Sequence, residues 1–172
     1  ECYLCHLSQV LRVLAIQNID DSEALRLTRE SCRFLAEIDF ERTPPEISAD
    51  LYKWLAEKTG IVDPYFETKR RDIRRALALY PRLKNKVLEA PDRLRKALLF
   101  SLAGNIIDFG AGEVGEWPAE GDFLEKEELA IDHYELFTSD LKKATRIVFL
   151  GDNAGETVFD RLFIEQIGHQ VI

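Results

Sequence analysis

The hexapeptide GDNAGE at 151–156 sets a carboxylate, Asp152, beside a carboxamide, Asn153, directly after the short apolar run RIVFL at 146–150. In open α/β sheets, ligands collect beyond the carboxyl ends of strands. A glycine-bearing turn leading into a helix offers backbone N–H groups to an anion. An aspartate at the tip of such a turn repels a phosphate unless a cation lies between them. Adjacent carboxylate and amide oxygens suit a hard divalent metal. The same residues serve equally as an Asx turn and a helix N-cap, so spacing alone leaves both readings open. The loop is neither a dinucleotide fingerprint nor a P-loop, because G-x-G-x-x-G and Gly-Lys-Ser/Thr are both missing.

Two further groups could carry chemistry. Asn105 and Asp108 stand three apart in AGNIID, within a run whose Ala97, Leu98, Leu99, Phe100, Leu102, Ala103, Ile106 and Ile107 are apolar nearly all round. Such a helix is expected to be buried, and a buried carboxylate is costly unless paired or metal-bound. A network that satisfies loose carbonyls at the helix end explains the pair as well as a site does. The third group is CYLCH at 2–6, whose spacing is that of c-type haem attachment. Haem needs a second axial ligand, often Met, and the chain contains no methionine. His133 and His169 could serve, but haem attachment also implies export, so haem is disfavoured. A metal site from Cys2, Cys5 and Cys32 with His6, or thiols favoured as thiolates at a helix start, are the competing readings.

The elements that must position these residues are mostly helical through 4–143. Leu4, Leu7, Val10, Leu11 and Leu14 fall at helical spacing, and a second helix starts at Asp21-Ser22 with Leu25, Leu27, Cys32, Phe34 and Leu35 on its apolar side. TPPEIS is expected to break the chain before a helix closed by Gly60. Pro81 is expected to kink or end the next one. The basic run KRRDIRR reads as a solvated helix face. Residues 110–121, GAGEVGEWPAEG, form a glycine-rich loop, and 124–144 read as helix. Then the class changes: RIVFL is a strand, ETVFDRLFIEQIG an amphipathic helix stopped by Gly168, and HQVI the start of another strand. This is a βαβ unit with parallel strands. Two strands make no stable sheet. That fact and the missing methionine lead to the expectation that the chain is a fragment of a polypeptide roughly a hundred residues longer. The expected division is a helical domain over 1–143 and the first, incomplete part of an α/β metal-binding domain over 144–172.

Composition narrows the partners. Of 172 residues, 46% are hydrophobic and 31% charged, with a net charge of −8. That balance opposes nucleic acid, which wants a basic face, and anionic membranes. No run approaches the roughly 18 apolar residues of a spanning helix. Three cysteines argue against a disulfide scaffold and for a reducing cytoplasm. Nothing in the sequence fixes the oligomeric state.

GDNAGETVFDRLFIE after a strand, with AGNIIDFGA upstream, resembles the damage-control phosphatase family, once known only as a domain of unknown function and including acidic-residue-methyltransferase-like proteins. DPY followed by Lys69 is similar to a family segment, and Cys2-x-x-Cys5 to its prokaryotic branch. The resemblance covers essentially the whole chain. It implies a helical N-terminal part, a Rossmann-like α/β part, and a metal-dependent phosphatase acting on small phosphorylated metabolites such as sugar phosphates or phosphopantetheine derivatives. It implies Asp152 and Asn153 as ligands of a divalent cation (Mn, Mg, Co or Ni), with a third ligand, an aspartate, downstream of this chain. On that reading Asp152, Asp108 and Glu156 are the catalytic residues, and Asn105, Asp108 and Gly155 bind substrate. The cation neutralises phosphate and orients a water for in-line attack, with Glu156 as an alternative holder of that water. A covalent route through Asp152 stays open. The rival reading is a non-catalytic phosphometabolite-binding or helical interaction module.

Overall fold

The computed structural model describes residues 2–39, 41–106 and 129–168, except the side chains of Cys2, Asn105 and Ile106. The chain separates into two compact units, Glu1–Glu67 and Thr68–Ile172. Among the described residues the elements are helices: α1 (Cys2–Ile16), α2 (Asp21–Ala36), α3 (Pro44–Thr59), α4 (Phe66–Glu89), α5 (Arg93–Ile106), α6 (Tyr134–Leu141) and α7 (Glu156–Ile167). None of the described helices is long and apolar enough to cross a membrane.

In the first unit α1, α2 and α3 enclose one core of Val10, Val13, Leu14, Leu27, Leu35, Ile47, Leu51 and Leu55. The buried stripe of α1 runs through His6, Val10, Val13 and Leu14, so Leu4 (72% exposed) and Leu11 (49%) fall outside it. Leu25 and Cys32 of α2 are also exposed. The cap of α2 is Asp20, one residue before the expected start, and its carboxylate accepts from the amides of Ser22 and Glu23. α3 begins at Pro44, inside the segment expected to be a break. A proline in the first turn lacks only an N–H that would be unpaired there anyway. Glu46 reaches back to accept from the Thr43 amide at 2.9 Å and the Thr43 hydroxyl at 2.7 Å. Gly60 ends α3 at φ 73° as the sequence indicated, a left-handed conformation that glycine adopts without strain.

The second unit packs α4, α5 and α7 around Ala76, Leu83, Val87, Ala97, Phe100, Phe159, Leu162, Phe163 and Ile167. Pro81 does not end α4; Leu83 and Val87, both buried, hold the turns beyond it on the core. Asp92 starts α5 by accepting from the Arg95 amide at 2.9 Å. α5 is less uniformly buried than its composition suggests, since Leu102 is 40% exposed. Residues 129–133 are not helical, and α6 starts only at Tyr134. Asp132 turns the chain there, accepting from the Tyr134 amide and pairing with Arg95. The expected strand at 146–150 carries a single β-bridge position, Ile147. Its side chains still alternate: Ile147 and Phe149 lie on the core, while Val148 and Leu150 are 66% and 89% exposed. α7 follows with the expected buried face and ends at Gly168, φ 69°. HQVI lies outside the described residues, as do 107–128.

Candidate functional site

The GDNAGE loop is built by the first residue of α7. Glu156 is only 9% exposed. Its Oε2 accepts from the backbone N–H of Asn153 at 3.3 Å and from Asn153 Nδ2 at 3.2 Å. Gly155 occupies the N-cap position, where no side chain caps the helix. The loop closes through its own backbone: Thr157 N–H donates to the Asn153 carbonyl at 3.2 Å and Val158 N–H to that of Gly155 at 3.3 Å. Thr157 Oγ1 donates to the Ala154 carbonyl at 2.8 Å. Neither Asp152 nor Asn153 therefore caps the helix, the ordinary job the sequence left open for them.

The consequence is chemical. With its Nδ2 held by Glu156, Asn153 presents its Oδ1 as the remaining group of the amide. Asp152 is exposed, and no hydrogen bond or ion pair among the described residues engages its carboxylate. Two residues with hard oxygen donors thus occupy consecutive positions just before a helix N-terminus, where the helix dipole favours negative charge. This set fits a divalent cation that keeps several waters and takes one or two protein oxygens plus a phosphate. Among the described residues no group of three His, Cys, Asp or Glu side chains is placed to hold a metal ion.

α5 meets α7 at this end of the unit. A Cβ on Gly104 would lie 3.0–3.2 Å from the Phe159 side chain, so the two helices touch nearly backbone to ring. One turn earlier on α5, Ser101 Oγ donates to Asp160 Oδ1 at 2.6 Å. The backbone of Asn105 follows Gly104 directly, which brings the AGNI end of α5 beside the helix that opens with GDNAGE. The Asn105 side chain and all of Asp108 lie outside the described residues.

Sequence reasoning passed over Asp160. It is 4% exposed, its Oδ2 has no hydrogen-bond partner among the described residues, and burial pushes its carboxyl above the usual range. Ser101 opposes that shift and the Glu156 carboxylate adds to it. The signal was present: an aspartate four residues after Glu156, embedded among Phe159, Leu162 and Phe163.

The CYLCH motif is pulled apart by its helix. Cys5 is exposed, whereas His6 is 3% exposed, with Nδ1 3.3 Å from Ser48 Oγ and Nε2 without a partner among the described residues. Cys32 is exposed as well.

Residues 1–171 match the damage-control phosphatase ARMT1-like domain. An uncharacterized protein of Methanocaldococcus jannaschii is 31% identical over 97% of this chain and 57% of its own length. A damage-control phosphatase of Pyrococcus horikoshii, PH1575, is 30% identical over 97% of this chain and 58% of its own. The crystal structure of PH1575, described as a DUF89 family protein, superposes with a TM-score of 0.85 at 25% identity, covering 99% of this chain and 61% of that one. The chain thus spans somewhat under three-fifths of the length of these two relatives. With nearly every residue matched and a shared fold, the chain belongs to the ARMT1-like damage-control phosphatase domain family.

Proposed function

We propose that this chain carries the metal-binding loop of a metal-dependent phosphatase acting on small phosphorylated metabolites, a sugar phosphate or a similar phosphomonoester. The observation that carries the reading is the Glu156 clasp on Asn153, which holds the loop by its amide nitrogen and leaves Asp152 and the Asn153 oxygen unengaged among the described residues. The PH1575 name, damage-control phosphatase, points the same way.

A divalent cation held by Asp152 and Asn153 supplies charge neutralisation and Lewis acidity to a phosphate oxygen. The work of the chain itself is positioning. Asp152 contributes the negative charge of the cation site. Asn153 contributes a neutral oxygen, so the site is not over-neutralised. Glu156 fixes the Asn153 rotamer and spends its own charge inside the loop. The amides of Ala154 and Gly155 stand at the start of α7, where an anion is stabilised by the helix end. Asn105 and Asp108, carried by the end of α5 and the residues after it, would face the substrate from the opposite side. Residues 144–172 would then open a Rossmann-like α/β portion.

The test is phosphate release from a panel of sugar phosphates by the full-length protein, with and without a chelator. Release that needs added manganese, magnesium, cobalt or nickel supports the reading. A protein that binds these esters without releasing phosphate under any metal is a binding module instead.

A further inference from the structure

The Ser101–Asp160 hydrogen bond is a buried polar contact beside the apolar cluster that α5 and α7 share. α5 and α7 already share Ala97, Phe100, Phe159, Leu162 and Phe163. Such contacts are non-directional and tolerate small slips. The hydrogen bond does not, because a slip leaves both buried groups unpaired. Asp160 also carries a cost, since its Oδ2 has no hydrogen-bond partner among the described residues. A buried polar group kept at a cost is a candidate for specifying one arrangement.

What it specifies follows from position. Asp160 lies one helical turn after Glu156, the residue that clasps Asn153. Ser101 lies one turn before Asn105. We propose that Asp160 is a positioning residue: through Ser101 it locks the register of α7 on α5, and so fixes the 152–156 loop relative to the AGNI end of α5. The inference rests on the phosphatase reading only for its consequence in the site; the locking itself stands on the helix pair.

The experiment compares Asp160→Asn, Asp160→Leu and Ser101→Ala in the full-length protein. Each variant is read by hydrogen exchange of α7 amides and by calorimetric titration with manganese. Asparagine can still accept from Ser101, so Asp160→Asn keeps both readouts close to the parent. Asp160→Leu and Ser101→Ala speed exchange in the first turns of α7 by about tenfold or more, leave α3 unchanged as an internal reference, and weaken manganese binding by about tenfold per folded molecule. If the Asp160→Leu and Ser101→Ala proteins melt earlier but keep parental α7 exchange relative to α3, the lock is overturned and Asp160 is packing only. If Asp160→Asn fails as badly as Asp160→Leu, the hydrogen bond from Ser101 is not the device. Should the parent bind no manganese, the site reading fails, while the exchange data still decide the lock.

Discussion

A Cβ on Gly104 would stand 3.0 Å from Cδ2 of Phe159 and 3.1 Å from its Cβ. Phe159 is fully buried, so the ring has little room to give. Alanine at 104 gains about 1 kcal/mol of helix propensity, but overpacking in a closed interface costs about 1–3 kcal/mol. The expected result for Gly104→Ala is a lower urea midpoint with an unchanged m-value. A midpoint at or above the parent's would show that α5 and α7 can separate freely.

α4 and α7 are joined by Glu165. Its carboxylate accepts from Tyr80 at 2.6 Å, Lys84 at 2.8 Å and Arg161 at 2.9 Å. Lys84, with Tyr80 next, lowers its pKa from the ordinary 4.5 to about 2. A carboxyl held low contributes stability that is fully present above about pH 4.5 and is lost as pH falls towards 2. Solvent screening keeps the effect to about 1 kcal/mol or less. Thermal melts of Glu165→Gln should therefore lie below the parent near pH 6, and the gap should narrow below about pH 4.5 and close only as pH falls through about 2.

How much of this was legible in the sequence divides along a physical line. Periodicity found α1, α2, α5 and α7, because their apolar faces are long enough to outvote local exceptions. It puts Leu4 and Leu11 at the same helical spacing as Val10, since hydrophobicity marks a stripe but not its centre; the partner helices set the centre at Val10. TPPEIS reads as a break because prolines usually mark one, whereas Thr43 and Glu46 turn the same residues into a helix start. Asp152, Asn153 and Glu156 were visible as a motif. The clasp between Glu156 and Asn153, and the buried Ser101–Asp160 pair, depend on which side chains meet in space.

Glu156 offers a sharper check on the loop. Glutamine at 156 can still accept from Asn153 through its amide oxygen, so Glu156→Gln should bind a divalent cation nearly as well as the parent. Glu156→Ala removes the clasp, frees the Asn153 rotamer, and should weaken binding by about tenfold, or 1.4 kcal/mol. Titration of both variants decides this. Equal affinity in the two would mean the clasp does not organise the cation ligands.

Asp108→Asn conserves shape and removes one charge. If Asp108 faces the substrate, turnover falls by at least about tenfold while the thermal midpoint stays near the parent's. A large drop in the melt with normal turnover per folded molecule would make Asp108 a structural carboxylate.

The most direct test is calorimetric titration of the full-length protein with manganese or magnesium, beside its Asp152→Ala variant. The parent should bind one cation, and the variant, which keeps the Glu156 clasp and the α5–α7 core, should show no binding at the same concentrations. Equal affinity in both proteins would contradict the assignment of Asp152 and Asn153 as the cation site.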